Sequence, residues 1–262
     1  MGKNYKKNEN NHKKLYSPAK DGTIRISGYN AVLEKLKAGN PVQEILLQKG
    51  AEHTEIVERA DLAKVPIRVV EKEELDRYTE ERHQGVVAIA KDYRYVEVED
   101  ILEIAAAKGE PPFLVLLDQI TDPHNLGAII RTAHQVGCHG IVIPERRSAS
   151  ITEVVAKTSA GAIEYLPVAQ VTNLNRTIEY LKKQGLWIAG ADMDGQSIYE
   201  ADLKGAFALV IGSEGEGISR LTREKCDFIV SIPMFGKIDS LNASVSAGVI
   251  LYEALRQRRF SK

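Results

Sequence analysis

The chain has 262 residues and a net charge of -1, with 35 Lys and Arg against 36 Asp and Glu. Hydrophobic content of 44% and charged content of 27% are ordinary for a globular protein, and no apolar run reaches the roughly 18 residues of a membrane-spanning helix. Only two cysteines, Cys138 and Cys226, are present, which excludes a disulfide framework and fits a reducing cytoplasm. The length predicts two domains.

Residues 1–20 carry six lysines against one acid, Glu9, with almost nothing apolar. Such a basic arm is expected to be disordered when free and attracted to phosphates, or else to act as a solubilising tail, and not as a secretory signal. From Ile24 to about Ala90 the pattern alternates between helix-like segments ("GYNAVLEKLKAG", "TEIVERADLAK", "EKEELDRYTEE") and strand-like ones ("VQEILL", "PIRVV", "GVVAIA"). This predicts a small α/β unit over residues 22–93. Residues 94–112, which mix a charged strand-like piece, a short helix and the Pro111-Pro112 break, are expected to be a linker. His83 in "RHQG" reads first as a structural histidine, and Tyr29 and Asn30 as cap and packing residues.

From Phe113 to Lys262, near-continuous apolar runs ("FLVLL", "GIVIP", "EYLPV", "LWIAGA", "FALVIG", "FIVSIP") alternate with helical patterns. That arrangement predicts a parallel sheet covered on both faces, with ligands beyond the carboxyl ends of its strands. Three loops fall there. "NLGAIIRTA" puts Asn125 at a plausible helix N-cap, with Gly127 in the first turn and Arg131 one turn above. It reads either as an anion site or as an ordinary capped helix with a solvated arginine. "VIGSEGEGIS" spaces Gly212, Gly215 and Gly217 as G-x-x-G-x-G, so neither a dinucleotide fingerprint nor a P-loop is present, and a nucleotide-dependent oxidoreductase is disfavoured. Its acids, Glu214 and Glu216, suit a cationic or hydroxyl-rich ligand, or an acidic turn. In "IPMFGKIDSLNASVSAGVILYEAL", Ser240, Asn242 and Ser244 gather at a helix start, more polar groups than one cap requires.

Together, and in this order, the three loops resemble the three motifs of the SpoU, or TrmH, family of RNA ribose 2'-O-methyltransferases, and residues from about Ile24 to Tyr93 look like the family's substrate-binding domain. The layout is most similar to the RlmB-like branch, which acts on a guanosine ribose of 23S rRNA. The resemblance implies an α/β, SPOUT-type catalytic domain with a deep trefoil knot in its parallel sheet, preceded by a small α/β RNA-binding domain. It implies S-adenosylmethionine as cofactor, RNA as partner (23S rRNA foremost, tRNA as the alternative) and a homodimer, with neither metal nor membrane. The functional polar set would be Asn125, Arg131, Glu214, Ser240 and Asn242, and the cofactor contacts Gly190, Ala191, Gly212, Ile232 and Leu241. The rival reading is a non-catalytic RNA-binding or ribosome-assembly factor, against which the intact polar set argues. Cys138 and His139 adjoin each other without any metal-ligand spacing.

Overall fold

The computed structural model describes residues 22–237 and 240–260. The basic arm lies outside the described residues. The N-terminal unit runs β1 (Thr23–Ser27), α1 (Tyr29–Lys37), β2 (Val42–Gln48), α2 (Thr54–Leu62), β3 (Ile67–Val70), α3 (Lys72–Tyr78) and β4 (Val86–Lys91). Its four strands are ordered β1-β4-β2-β3. The β2/β3 pair is parallel, as the α2 crossover requires, and β4 runs antiparallel to both neighbours.

Residues 94–112 carry α4 (Val98–Ala107), whose buried Val98 and Ile101 pack on one face of the second sheet. Gly140 makes room for this helix, because a Cβ there would sit 2.5 Å from Ile101 Cδ1. The break at Pro111-Pro112 leads directly into a core strand that begins at Phe113.

The second sheet is built from β5 (Phe113–Leu117), β6 (Gly140–Pro144), β7 (Val168–Val171), β8 (Trp187–Ser197), β9 (Phe207–Ile211) and β10 (Phe228–Ser231). Its six strands are ordered β10-β8-β9-β5-β6-β7 and every pairing is parallel. The chain steps outward from β5 to β6 and β7, then returns to the other side of β5, so the topological switch lies between β5 and β9. The helices are α5 (Pro123–Gln135), α6 (Glu153–Thr158), α7 (Leu174–Lys183), α8 (Arg220–Lys225) and α9 (Ala243–Phe260), with a 3-10 turn at Ala162–Glu164. Both faces of the sheet are buried: α5 and α9 pack on the side of Val115 and Leu209, and α4 and α7 on the side of Leu114 and Ala208.

One irregularity positions the site. β10 pairs Ile229 with Gly190 and then Val230 with Gln196, so the intervening residues of β8 leave the ladder. Gly195 allows the return, since a Cβ there would lie 2.6 Å from the β10 backbone. No described helix is long and apolar enough to cross a membrane.

Candidate active site

At the carboxyl ends of β8, β9 and β10 the excursion of β8, the glycine-rich loop after β9 and the loop before α9 enclose a cavity of about 350 Å³. Ala191, Gly212, Ile232 and Leu241 all line it, together with Glu214 and Ser240. Gly212 has no alternative there: a Cβ would meet the Gly217 and Ile218 backbone at 2.0 to 2.2 Å. The loop closes on itself through Ser213 N donating to Gly217 O and Gly217 N to Ser213 O, both at 3.0 Å. Gly190, expected beside the cofactor, does not line the cavity. The space of its missing Cβ is taken by Cys226, Ile229 and Ile218, so it is a packing glycine behind the wall.

Three residues join the three loops at the rim. Asn125 Nδ2 donates to Glu214 Oε1 at 2.7 Å, Asn242 Nδ2 donates to Asn125 Oδ1 at 3.0 Å, and Asn242 Nδ2 also donates to Glu214 Oε1. Asn242 Oδ1 in turn accepts from the backbone N–H of Ser244 and Val245, at 2.9 and 3.2 Å, which caps α9. Ser244 serves this cap with its hydroxyl, 2.6 Å from the same oxygen. Ser240 stands apart from the cap and faces the cavity.

Two readings of the first loop change. The N-cap of α5 is Asp122, whose side chain accepts from His124 N at 2.9 Å, with Pro123 in the first turn; Asn125 sits inside the helix and is only 7% exposed. Gly127 does not open the helix mouth to an anion, because a Cβ would lie 2.7 Å from Thr158 Cβ and 3.1 Å from Ser159 N. It lets α6 pack against α5. Arg131 is exposed and lines a different cavity, between α1 and α5, so one chain does not bring it to the Asn–Glu–Asn cluster.

Asp118 directly follows the apolar run "FLVLL" of β5. It is buried, and its Oδ2 accepts from Ser219 N at 2.9 Å, tying the far end of the glycine-rich loop to the exit of β5. Asp192 also lines the cavity and is clasped by the Arg223 guanidinium of α8, which reaches Asp194 as well. With Asp192 paired, Glu214 and Glu216 leave the cavity negative at one side and apolar at Ile211, Val230, Ile232 and Leu241 on the other.

His83 is structural: its Nε2 lies 3.0 Å from Asp76 and its Nδ1 accepts from Gly85 N. Neither thiol is a nucleophile. Burial pushes Cys226 up to about 11 and Cys138 further still. Among the described residues no group of His, Cys, Asp and Glu could hold a metal ion.

Comparison with known proteins yields two family matches: the SpoU rRNA Methylase family over residues 112–252, and RNA 2'-O ribose methyltransferase substrate binding over residues 25–96. YacO of Bacillus subtilis (strain 168), named for the TrmH family of tRNA/rRNA methyltransferases, is 45% identical over 237 residues, covering 89% of this chain and 95% of YacO. A similarly named protein of Staphylococcus aureus (strain MSSA476) is 44% identical over 239 residues, covering 89% and 96%. The solved SpoU methyltransferase AviRb from Streptomyces viridochromogenes, in complex with AdoMet, matches with a TM-score of 0.79 at 25% identity, covering 93% of this chain and 95% of AviRb.

Proposed function

Because the chain belongs to the SpoU, or TrmH, family of S-adenosylmethionine-dependent RNA methyltransferases, we propose that it methylates a ribose 2'-oxygen in structured RNA. The resemblance to the RlmB-like branch makes a guanosine of 23S rRNA the foremost target, and a tRNA ribose is the second, since the relatives' names cover both tRNA and rRNA. The observation that carries the reading is the Asn125–Glu214–Asn242 cluster, in which all three loops meet beside one cavity.

The cavity suits the cofactor. Its apolar wall can take an adenosine, and Glu214 and Glu216 favour a cationic sulfur over a pyrophosphate. When bound, S-adenosylmethionine supplies a methyl group on a positively charged sulfur, open to direct displacement. The chain's own task is placement: holding an attacking oxygen in line can supply about 7–11 kcal/mol. Two amides fix the Glu214 carboxylate, so Asn125 and Asn242 set the loop geometry around the ribose, and the Ser240 hydroxyl is available to the reacting oxygen. Arg131 is not a base, because a guanidinium stays protonated in proteins; it is a partner for RNA phosphate.

We assign the N-terminal unit, residues 22–93, to RNA recognition and the remainder to catalysis. The working form is a homodimer, supported by exposed apolar residues near the cavity: Phe235, at 99% exposure, and Val245 and Tyr252 on α9. Mass-spectrometric analysis of nucleosides from 23S rRNA and tRNA, with and without the gene, tests the reading. Loss of one 2'-O-methylguanosine from 23S rRNA is expected. Unchanged ribose methylation in both RNAs, together with no transfer in vitro, would overturn it.

A further inference from the structure

A second cavity, of about 250 Å³, opens between Asn30 and Glu34 on α1 and Arg131 and His134 on α5, with Gly161 and Tyr165 closing its third side. Its walls are held rigid. Tyr165 is 45% exposed, yet its hydroxyl donates to Glu34 Oε2 at 2.8 Å, and its ring stacks on His134 at 5.5 Å between centroids and 18° between planes. Burial lowers the His134 pKa from its ordinary value, which favours the neutral imidazole in the stack. Gly161, at φ +87°, fits against Glu34, where a Cβ would lie 2.4 Å from Glu34 Cβ. Lys35 and Asn40 fasten the two units beside it through Glu164, at 3.0 and 2.7 Å. The Arg131 guanidinium, by contrast, has no hydrogen bond or ion pair among the described residues.

We propose that this cleft is an RNA subsite for one unpaired nucleotide, its base against the Tyr165–His134 rings and its phosphate on Arg131. The proposal rests on the RNA-methyltransferase reading above and adds where the two units grip the substrate together. Proteins read single-stranded RNA by stacking bases on aromatic rings, holding their polar edges with carboxylates and amides, and pairing their phosphates with Arg or Lys. The cleft supplies all three in a space that takes one base and not a duplex. Lys37, with Nζ 3.4 Å from Glu34 Oε1 and 3.0 Å from Glu55 Oε1, partly offsets the carboxylate's repulsion of the phosphate, and the Asn30 amide and the remaining lone pairs of Glu34 are left for the base edge.

The test uses the full chain and a fluorescein-labelled hexauridine oligonucleotide, followed by fluorescence anisotropy across a salt series, with a 4-thiouridine version for photocrosslinking and peptide mapping. Tyr165→Ala should weaken binding about tenfold or more, Tyr165→Phe less than about threefold, and Arg131→Ala should reduce the log–log salt slope by about 0.7. Crosslinks to the wild-type chain should fall on Tyr165 or His134, and calorimetric affinity for S-adenosylmethionine should be the same in all variants. Unchanged oligonucleotide binding by Tyr165→Ala, or crosslinks confined to other elements, would overturn the subsite; should Tyr165→Ala fail to fold, the wild-type crosslinks and the Arg131 salt slope decide. The two readings fail separately. Normal ribose methylation with silent cleft variants removes the subsite alone, whereas binding through Tyr165 without transfer to any RNA removes the enzymatic reading alone.

Discussion

Asn242 does two things that substitution can separate. Its Oδ1 caps α9, and its Nδ2 holds Glu214 and Asn125 in place. Asn242→Ala should lose both and cost about 1 kcal/mol of stability for the cap. Asn242→Asp keeps an oxygen for the Ser244 and Val245 N–H groups but turns a donor into a second carboxylate facing Glu214. Its thermal midpoint should therefore stay nearer the wild type than that of the alanine variant, while single-turnover methyl transfer falls by about 10²-fold, the usual cost of misplacing a reacting group by an ångström. If the aspartate variant transfers methyl groups normally, Asn242 is a cap and nothing more. The same double use explains why three polar residues at one helix start were legible as an excess in the sequence, while their division of labour was not. Residue types are written in the chain, but which amide faces which carboxylate is decided by loops 89 and 117 residues apart.

Among elements, α5 shows how one glycine can be misread. In a solvated helix, Gly→Ala stabilises by about 1 kcal/mol. At Gly127 the added methyl would meet Thr158 Cβ at 2.7 Å, so Gly127→Ala should instead destabilise, by roughly 1–3 kcal/mol of overpacking, and push α6 from α5. The sign of the change in a denaturant titration checks this. The apolar runs of the parallel sheet were legible because strands buried on both faces need unbroken hydrophobic sequence, as β5 and β9 have. β1 was not, because "TIRIS" is short, alternates, and pairs only with β4 at the sheet edge. Nor was the excursion of β8 that carries Ala191 and Asp192 into the cavity wall. "LWIAGADMDG" shows a strand running into turn residues, but only its parallel partner β10 fixes where the ladder breaks and resumes. The β7 strand begins at Val168, later than "EYLPV" suggested, since Ala162–Glu164 is spent on the 3-10 turn beside the second cavity.

For the whole molecule, the two sheets are not independently covered. One apolar cluster runs from Ile26 and Val32 through Val155 and Ile163 to Leu126 and Val115, and polar contacts cross the same boundary. The Thr79 hydroxyl donates to Glu153, and Lys157 reaches Glu81 at 2.6 Å. Burial, outweighing the Thr79 hydrogen bond, pushes the Glu153 carboxyl above its ordinary range. A raised folded pKa means the folded state holds the proton more tightly than the unfolded chain. Stability from this group is thus full below the unfolded value, about 4.3, and is lost as pH rises through the folded one. Glu153→Gln cannot ionise, so its thermal midpoint relative to the wild type should rise toward neutral pH, with the gain closing below about pH 4. A pH-independent difference in midpoint would show that burial of the charge is not what matters there.

The shared core also decides where the chain can be cut. A fragment of residues 92–262 keeps α4 together with Tyr93 and Tyr95, whose hydroxyls accept from Val168 N and Ile151 N at 3.0 and 2.9 Å. A fragment of residues 113–262 loses all of these, including Ile101, which fills the space above Gly140. Removing one large buried aliphatic side chain costs about 2–5 kcal/mol, and α4 contributes Val98 and Ile101 against a total domain stability of about 5–15 kcal/mol. The longer fragment should therefore melt cooperatively, below the full chain, and still bind S-adenosylmethionine, because every residue lining the first cavity lies within it. The shorter fragment should show no cooperative transition by circular dichroism and no calorimetric binding. If it instead melts cooperatively and binds as tightly as the longer one, α4 is a dispensable cover, and residues 94–112 are the linker that their charge and prolines first suggested.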